Sequence, residues 1–414
     1  MIFHDANKIY EAMGKAIKSG DRDRYVTQLY DVNHLLYTAM LQKELRDGTY
    51  HPSQGHKFVL HERGKTRFVT NNTMADKVVN HVVCDEVLIP TVQKYLIYDN
   101  GASQKGKGVS FHRERFAKHL RDYFKRHGTN EGYILLGDFS GYYANIKHDV
   151  CGKVLAQFLK RSSIDKEDLR LAWNILTEVF DTFRLDVSRF PDSDIRAMYE
   201  GKVDAMLNYG VEPKLLTGEK YLCKGVDIGN QTSQVIGIVF SYRLDNYAKI
   251  VCGNKYYSRY SDDFVVIAET KEELLRILDG LKAIARQYGI IINERKTRII
   301  KLNNFFRHLQ NGYTLTSTGH VICKINPKGI TRERRKLKAY KRLLDAERIT
   351  LDEVDNIFKG WLGSNYKRMS HRQIYNMAEL YRTLFGRLPK WKKKRGKTYS
   401  RLRWLMEHKS QQWE

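Results

Sequence analysis

The chain has 414 residues, of which 42% are hydrophobic, and this is enough to bury the cores of two or three structural units. Its 72 lysines and arginines outnumber its 47 acidic residues by 25 formal charges, an excess larger than is usual for a cytosolic enzyme of a small substrate. The composition favours a polyanionic partner over a merely basic soluble protein, because 26 tyrosines, 17 phenylalanines and 5 tryptophans accompany the positive charge and can stack on bases.

Two further properties concern the compartment. No apolar run approaches the ~20 residues that a transmembrane helix needs, and the N-terminus lacks the pattern of a signal peptide. The five cysteines are scattered, form no CxxC pair and are odd in number, which argues against zinc and against a disulfide framework. We therefore expect a cytoplasmic protein that binds no membrane.

The first half of the chain is predicted to be helical, with one β-hairpin between the helices. Residues 1–50 are predicted to be helical, with apolar positions at Tyr25, Leu29, Leu35, Leu36, Met40 and Leu41. Two alternating runs, Lys57–His61 and Thr66–Thr70, predict a β-hairpin. Helical patterns follow around Asp76–Ile89 and Ser110–Arg126.

The second half mixes short strands with helices. Strands are predicted at Tyr133–Gly137, Tyr256–Tyr260, Phe264–Ala268, Ile290–Ile292, Thr297–Leu302 and Tyr313–Leu315. Helices are predicted at Asp149–Lys160, in a mostly helical insertion over 161–220, at Val235–Ala248, at Lys271–Tyr288 and, with basic composition, from Thr331 to about Leu384. The change of composition places a boundary near residue 325.

Three aspartates suggest a metal site. Asp262 and Asp263 sit side by side on a tight turn, where their mutual repulsion is relieved if a cation binds, although a solvated turn is the alternative. Asp138 ends a short apolar strand, and one sheet can bring it to the same edge. Three carboxylates and the backbone carbonyl of Phe139 suit two Mg²⁺ ions about 4 Å apart, with Mn²⁺ as the alternative ion.

Several segments, in this order, resemble motifs of reverse transcriptases across most of residues 45–370. They are DFSGYYANIKH from Asp138, GNQTSQ from Gly229 to Gln234, YSDD from Tyr260, NERKT around Lys296 and GWLG around Trp361. The segment FRHLQ, which ends at Gln310, resembles the primer-grip turn less well, because a glycine is usual at that last position.

The resemblance implies an α+β fold with the right-hand arrangement of polymerases. Its parts would be an N-terminal helical segment (1–44), fingers (45–130), a palm (131–325, with the insertion 161–220), an α-helical thumb (326–389) and a basic tail (390–414). It also implies RNA-directed synthesis of DNA, with an RNA template, deoxynucleoside triphosphates and a DNA product. A homo-oligomer is left open.

The resemblance also assigns roles to individual residues. The metal ligands would be Asp138, Phe139, Asp262 and Asp263, and Lys296 would protonate the leaving pyrophosphate. The incoming nucleotide would contact Lys65, Arg67, Phe139, Tyr143 and Gln234, with the Tyr143 ring excluding a 2′-hydroxyl. Template or primer would contact Gly229, Asn230, Ser233, Tyr260 and Trp361, and Gly229 would allow the backbone to approach a ligand closely.

The segment from Gly229 to Gln234 resembles two bacterial types, the reverse transcriptases of phage defence and those of diversity-generating retroelements. Asp227 stands where a proline is expected. We expect a polymerase that copies a dedicated, structured non-coding RNA in antiphage defence, with the retroelement type as the alternative. A template-independent or protein-primed DNA polymerase and a non-catalytic RNA-binding scaffold are further alternatives. The basic tail, with its interleaved tryptophans and tyrosine, is expected to contact RNA or a duplex.

Overall fold

The structure, a computed structural model, describes residues 1–62, 64–390 and 397–408, except for the side chains of Lys65 and of residues 397–401. The chain forms two compact units. The first contains Met1–His119 and Gly132–Ile299, and the second contains Leu120–Glu131 and the chain from Ile300 onwards. The second unit thus begins about 25 residues before the boundary that composition suggested near 325, because the strands after Ile300 pack with the C-terminal helices.

The α-helices of the described residues are α1 (Ala6–Ser19), α2 (Tyr25–Val32), α3 (His34–Asp47), α4 (Met74–Val82), α5 (Ile89–Val92), α6 (Val109–His127), α7 (His148–Leu159), α8 (Lys166–Phe183), α9 (Asp192–Glu200), α10 (Gln231–Val239), α11 (Tyr242–Asn246), α12 (Lys271–Tyr288), α13 (Pro327–Asp345), α14 (Leu351–Asn365), α15 (His371–Phe385) and α16 (Lys397–Glu407). Within this described part, no helix has both the length and the apolar character to cross a membrane.

The strands are β1 (His56–Glu62), β2 (Lys65–Asn71), β3 (Tyr133–Asp138), β4 (Leu185–Asp186), β5 (Tyr221–Leu222), β6 (Ser258–Tyr260), β7 (Asp263–Ala268), β8 (Arg298–Lys301), β9 (Phe306–His308), β10 (Asn311–Leu315) and β11 (Val321–Ile325). They form four sheets, with orders β1-β2, β4-β5, β6-β7-β3-β8 and β11-β10-β9. Together with the helices they give the α+β class that the sequence predicted.

Strands β3, β6 and β7 of the four-stranded sheet lie in the first unit. Strands β3 and β7 pair antiparallel, and their aliphatic residues are buried. Helix α12 packs against both strands, beginning at the N-cap Thr270 and ending at Gly289, whose φ of 70° is readily adopted by glycine. The predicted bounds of this helix are confirmed, because its capping residues and its apolar periodicity agree.

The N-terminal helices belong to the first unit rather than to a separate segment, since α1 packs against α3 and α4. Their apolar pattern predicted the buried face only in part. Leu41 is buried, whereas Tyr25, Leu35, Leu36 and Met40 are exposed. The buried face is built mainly by α1, through Ile9, Met13 and Ile17, whose helical spacing the sequence analysis did not single out.

The region 161–220 is less helical than predicted. It contains α8, α9 and strand β4, which pairs with β5 over a small core of Val187, Met198 and Leu222. The single helix predicted over Val235–Ala248 is broken into α10, α11 and a π-helical turn at Tyr247–Val251. The strand predicted at Ile290–Ile292 is reduced to one bridge, between Ile292 and Phe139.

The second unit packs helices α13 to α16 around their own core. Helices α14 and α15 each begin with a capping box, formed by Thr350 with Glu353 and by Ser370 with Gln373. The basic tail predicted from residue 390 contains helix α16, which buries Leu402 and Met406. Residues 391–396, which carry four of its basic side chains, lie outside the described residues.

Candidate active site

The three aspartates meet at one edge of the four-stranded sheet. Asp138 is the last residue of β3 and lies opposite Asp263, the first residue of β7, in antiparallel register. Side chains directly opposite each other in such a pair project from the same face, with Cβ atoms about 5 Å apart. Asp262 precedes Asp263 in the turn, and its carbonyl oxygen accepts a hydrogen bond of 3.0 Å from the Phe139 amide. The strand ends therefore bring the three aspartates together, as expected.

A buried arginine supports the turn that carries two of the aspartates. Arg259 in β6 is fully buried, and its guanidinium donates to the Ser261 carbonyl at 2.7 Å and to the Ile238 carbonyl at 2.9 Å. Ser261 has a φ of 55°, an uncommon value for a residue with a side chain. Arg259 holds the carbonyl of this strained residue. The guanidinium therefore helps to fix the backbone conformation of the turn, and with it the position of the Asp262 side chain.

The charge of Arg259 is neutralised by Asp245 of α11. Two hydrogen bonds of 2.7 and 2.8 Å join the guanidinium to the two carboxylate oxygens, and the Tyr257 hydroxyl donates to the same carboxylate at 2.7 Å. Burial is the largest single influence and opposes the charge on Arg259, but the Coulombic attraction and the hydrogen bonds of Asp245, with smaller contributions from Tyr142 and Tyr257, together raise the pKa of the guanidinium. No motif in the sequence points to this network. The available signal is a lone arginine in a short strand between two apolar segments, because an arginine is rarely buried without a partner.

Lys296 lies directly on the first aspartate. Its Nζ is 2.8 Å from Asp138 Oδ2 and 3.0 Å from Asp138 Oδ1. The hydrogen bond to Asp138 raises the pKa of Lys296, and the charges of Asp262 and Asp263 act in the same direction. One ammonium group therefore lies in the combined field of all three carboxylates, at a point where positive charge is favoured.

The donor set fits a hard divalent cation such as Mg²⁺. In the parts of the chain that the structure describes, no three His, Cys, Asp or Glu side chains form a ready-made cluster for an ion. Mg²⁺ does not need one, because it usually binds through one or two carboxylates and completes its shell with water and substrate phosphates. Asp138, Asp262 and Asp263 supply such oxygens at a position that already attracts the Lys296 ammonium. Phe139 would contribute through its backbone carbonyl, since its ring is buried between Tyr142 and Phe264.

The two adjacent tyrosines after Asp138 have different environments. Tyr142 is buried, and its hydroxyl donates to the Gly237 carbonyl at 2.7 Å, so it is the core residue of the pair. Tyr143 is half-buried beside the turn that carries Ser261 and Asp262. Burial raises the pKa of its hydroxyl, and a hydrogen bond with Ser261 works in the opposite direction. A Cβ at Gly237 would lie 2.6 Å from the Tyr143 hydroxyl oxygen, so this glycine makes room for the ring.

Gly229 makes a close approach to the hairpin β1–β2. Its φ is 111°, and a Cβ at this position would lie 2.6 Å from the Thr70 carbonyl oxygen of β2. The Thr70 amide donates to the Ile228 carbonyl at 2.9 Å, and the Thr70 hydroxyl donates to Asp227 at 2.6 Å. Packing against β2 is thus one reason for a glycine here, and the expected ligand contact at Gly229 stays a prediction. Asp227, which replaces the expected proline, fastens the same loop to the hairpin β1–β2.

We expect Gly229→Ala to lower the free energy of unfolding by about 2 to 3 kcal/mol, from the left-handed backbone and the clash with Thr70. Urea denaturation of the purified chain measures the loss. Gly210→Ala is the matched control, because Gly210 also has a positive φ, of 74°, but a Cβ there meets nothing within 4 Å. The close approach to β2 would be contradicted by equal losses in the two variants.

The remaining residues of the motif from Gly229 to Gln234 divide into buried and exposed positions. Asn230 is buried and caps α10 by accepting a hydrogen bond of 2.8 Å from the Thr232 amide. Ser233 is buried on the inner face of α10. Asn230 also lines a groove together with Gln234, and the contacts of Asn230 and Ser233 with template or primer stay predictions. Gln234 is exposed on the same helix, as its expected role requires.

The nucleotide-binding residues of the hairpin are placed only in part. The Arg67 guanidinium forms an ion pair with Glu62 on the neighbouring strand. The side chain of Lys65 lies outside the described residues. Tyr260 is half-buried and packs edge to face against His112, with ring centroids 5.6 Å apart.

One expected contact, Trp361, and the segment that resembles the primer-grip turn fall in the second unit. Trp361 stacks on Phe358 in the core of that unit, with ring centroids 6.2 Å apart, so much of its ring is used for packing. Gln310 ends the turn between β9 and β10 with a φ of 67°. This conformation explains why a glycine is usual at the position in the motif that the segment resembles.

A sheet edge that brings Asp138 from one strand next to the paired Asp262 and Asp263 of a hairpin, with Lys296 and Tyr143 beside them, is typical of the active site of a nucleic-acid polymerase. Residues 54–309, more than half of the chain, match the family described as "Reverse transcriptase (RNA-dependent DNA polymerase)", and the chain belongs to this family.

Solved structures of telomerase show a distant likeness to the chain. The telomerase of Candida albicans in complex with a TWJ fragment of telomeric RNA is 12% identical over 81% of this chain, with a TM-score of 0.45. Apo telomerase of Candida tropicalis is 15% identical over 80% of this chain, with a TM-score of 0.45. The chain spans 58% and 62% of the length of these two proteins. Among the curated proteins, none matches the chain.

Proposed function

We propose that the chain is an RNA-directed DNA polymerase, which extends a DNA strand along an RNA template. One observation carries this proposal. Asp138, Asp262 and Asp263 converge at one sheet edge, with Lys296 in their field and Tyr143 beside the turn. The family to which the chain belongs supports the same conclusion.

Each of these residues then has a defined task. Divalent ions held by Asp138, Asp262 and Asp263 would supply Lewis-acid stabilisation to the attacking 3′-hydroxyl and to the departing pyrophosphate. The fork of Arg67 suits a triphosphate, for which the guanidinium would exchange its Glu62 partner. Lys296, which stays protonated beside Asp138, is placed to hold a proton for the leaving group.

Tyr143 is expected to select deoxynucleotides. In Tyr143→Ala the ring that occupies the space next to Ser261 is removed, and we expect the ratio of kcat/KM for deoxy- over ribonucleotides to fall by about 10- to 100-fold. Steady-state incorporation of single dNTPs and rNTPs on one template measures the ratio. Tyr143→Phe is the control, because it retains the ring and should keep the discrimination. A ratio that drops equally in both variants would rule out a steric role for the ring.

Templated synthesis is tested directly. Labelled dNTPs are supplied to the purified chain with Mg²⁺, a DNA primer and an RNA template, and the products are sequenced. We expect products complementary to the RNA and no incorporation after the RNA is digested. Products that are unchanged after digestion would favour template-independent synthesis instead. A chain that binds RNA but incorporates nothing, with or without primer, would favour the scaffold.

We further propose that the template is a dedicated, structured non-coding RNA and that the setting is antiphage defence. The resemblance of the segment from Gly229 to Gln234 to such bacterial enzymes supports this setting. Sequencing of RNA and cDNA that copurify with the chain from its native cell tests it. One recurrent non-coding RNA with its cDNA is the expected result, whereas cDNA of a neighbouring protein-coding gene would favour the retroelement type.

A further inference from the structure

The segment 223–226, between strand β5 and helix α10, pairs with the segment 143–148, which begins at Tyr143. The two segments run antiparallel, and the bridge between Lys147 and Lys224 joins them. Three backbone hydrogen bonds hold them together: from the Gly225 amide to the Ile146 carbonyl at 2.8 Å, from the His148 amide to the Cys223 carbonyl at 3.2 Å, and from the Val226 amide to the Tyr143 carbonyl at 3.0 Å. A distant part of the sequence therefore holds the backbone of Tyr143.

The local structure of Tyr143 makes this support important. Tyr143 lies in a single turn of 3₁₀-helix, Tyr143–Asn145, in which the Asn145 amide donates to the Gly141 carbonyl at 2.9 Å. The hydrogen bonds of a 3₁₀-helix have poorer geometry than those of an α-helix, so one such turn holds its own position weakly. Neighbouring parts of the chain must fix it, and the segment 223–226 does so at the Tyr143 carbonyl.

The side chain of His148 fastens the two segments at their other end. Its Nε2 lies 2.6 Å from the Gly225 carbonyl oxygen, and because a carbonyl only accepts, this nitrogen carries the hydrogen. Burial lowers the pKa of His148, which favours the neutral ring. The ring also packs against Phe180 and Phe183 of α8, with centroids 5.1 and 6.5 Å away. His148 thus joins helix α8 to the Gly225 carbonyl.

The insertion 161–220 anchors the same segment from its other side. Strand β5 pairs with β4 of the insertion, and Cys223 follows β5 directly. The Lys224 side chain is buried, and its Nζ donates to the Met198 carbonyl of α9 at 2.6 Å. The small sheet and α9 of the insertion therefore determine where the segment 223–226 lies.

We propose that the segment 223–226 and His148 position Tyr143 for the selection of deoxynucleotides, with His148 as a positioning residue. His148 acts through the Gly225 carbonyl and the backbone pairing of the two segments, and the insertion holds the segment 223–226 in place for it. The effect on sugar selection rests on the proposed function and on the role of Tyr143. The effect on the hydrogen bonds between the two segments does not.

Sugar selection is measured in two variants of His148 by steady-state incorporation of single dNTPs and rNTPs. His148→Phe keeps a ring against Phe180 but removes the donor to Gly225, whereas His148→Gln keeps a donor. A displaced positioning group costs rate even when it does not touch the reacting atoms, so we expect the ratio of kcat/KM for deoxy- over ribonucleotides to fall about 5- to 10-fold in His148→Phe. The KM for dNTPs should rise more than kcat falls, and His148→Gln should restore most of the ratio.

Hydrogen exchange reports on the pairing itself, without nucleotide or metal. In His148→Phe we expect the amides of the segment 223–226 to exchange about tenfold faster than in the unmodified chain, with His148→Gln in between. Gln42→Ala is the matched control, because Gln42 Nε2 also makes a partly buried hydrogen bond to a backbone carbonyl of the first unit, that of His4, at 2.7 Å. This control should change neither the exchange of the segment 223–226 nor the ratio.

Unchanged exchange of the segment 223–226 in His148→Phe would overturn the proposal. A ratio that stays constant while the exchange rises, or that falls equally in Gln42→Ala, would also overturn it, because His148 would then only stabilise the fold. In each of these cases the polymerase assignment stands if the unmodified chain extends a primer. An unmodified chain that incorporates nothing would refute that assignment and sugar selection with it, while the exchange still decides whether His148 holds the segment.

Discussion

Asp262→Asn is expected to lower the rate of nucleotide incorporation by about 1000-fold or more. The amide keeps the size of the side chain but removes a negative charge at the edge where Asp138 and Asp263 converge. Lewis-acid stabilisation of the transition state is worth several kcal/mol, and about 4 kcal/mol corresponds to three factors of ten in rate. Single-turnover primer extension at saturating Mg²⁺ measures the effect, and RNA binding should change by less than about twofold, since we assign Asp262 to the metal ions rather than to the strand.

Asp279→Asn provides the control for this change. Asp279 is an exposed acid of α12, so the same loss of charge occurs outside the site and should leave the rate unchanged. Incorporation by Asp262→Asn within about tenfold of the unmodified chain would refute the assignment of Asp262 as a metal ligand. Loss of RNA binding in parallel with activity would instead indicate that the turn had lost its fold.

Arg259→Leu is expected to have the largest effect on stability. It leaves Asp245 fully buried without its cation, and removing one partner of a buried ion pair costs about 3 to 5 kcal/mol. It also releases the Ser261 carbonyl, so that activity should fall together with the free energy of unfolding. Urea denaturation and primer extension on the same preparations measure both quantities.

A double variant separates positioning from stability. Arg259→Leu with Asp245→Leu removes both charges, and such replacements of buried pairs are often neutral or stabilising. We expect the free energy of unfolding to recover in part, because the Tyr257 hydroxyl still loses its acceptor, while activity stays low because nothing holds the Ser261 carbonyl. Arg259→Lys keeps the charge but not the fork that serves Asp245 and two carbonyls, and it should be intermediate in both quantities. Activity that recovers with stability in the double variant would show that Arg259 only stabilises the core.

The sequence by itself determined the elements that carry the three aspartates. The apolar run before Asp138, the hairpin signal around Asp262 and the capped helix α12 are local patterns. Each predicts its own strand, turn or helix from neighbouring residues alone. The roles of Lys296 and Tyr143 came from the family motifs, and the structure places both side chains beside the aspartates. These roles remain predictions until the variants are measured.

Only the tertiary structure decided which side chains those elements bury and what they contact. Leu35 and Met40 follow a helical pattern but are exposed, because α3 packs on α1 through its other face. A glycine is needed at position 229 because of the close approach of a strand more than 150 residues earlier in the chain. The burial of Arg259 depends on Asp245, which lies on helix α11. Such properties depend on residues that are far apart in the chain and meet only in the folded protein. The periodicity of one segment does not identify the distant residue that it will contact.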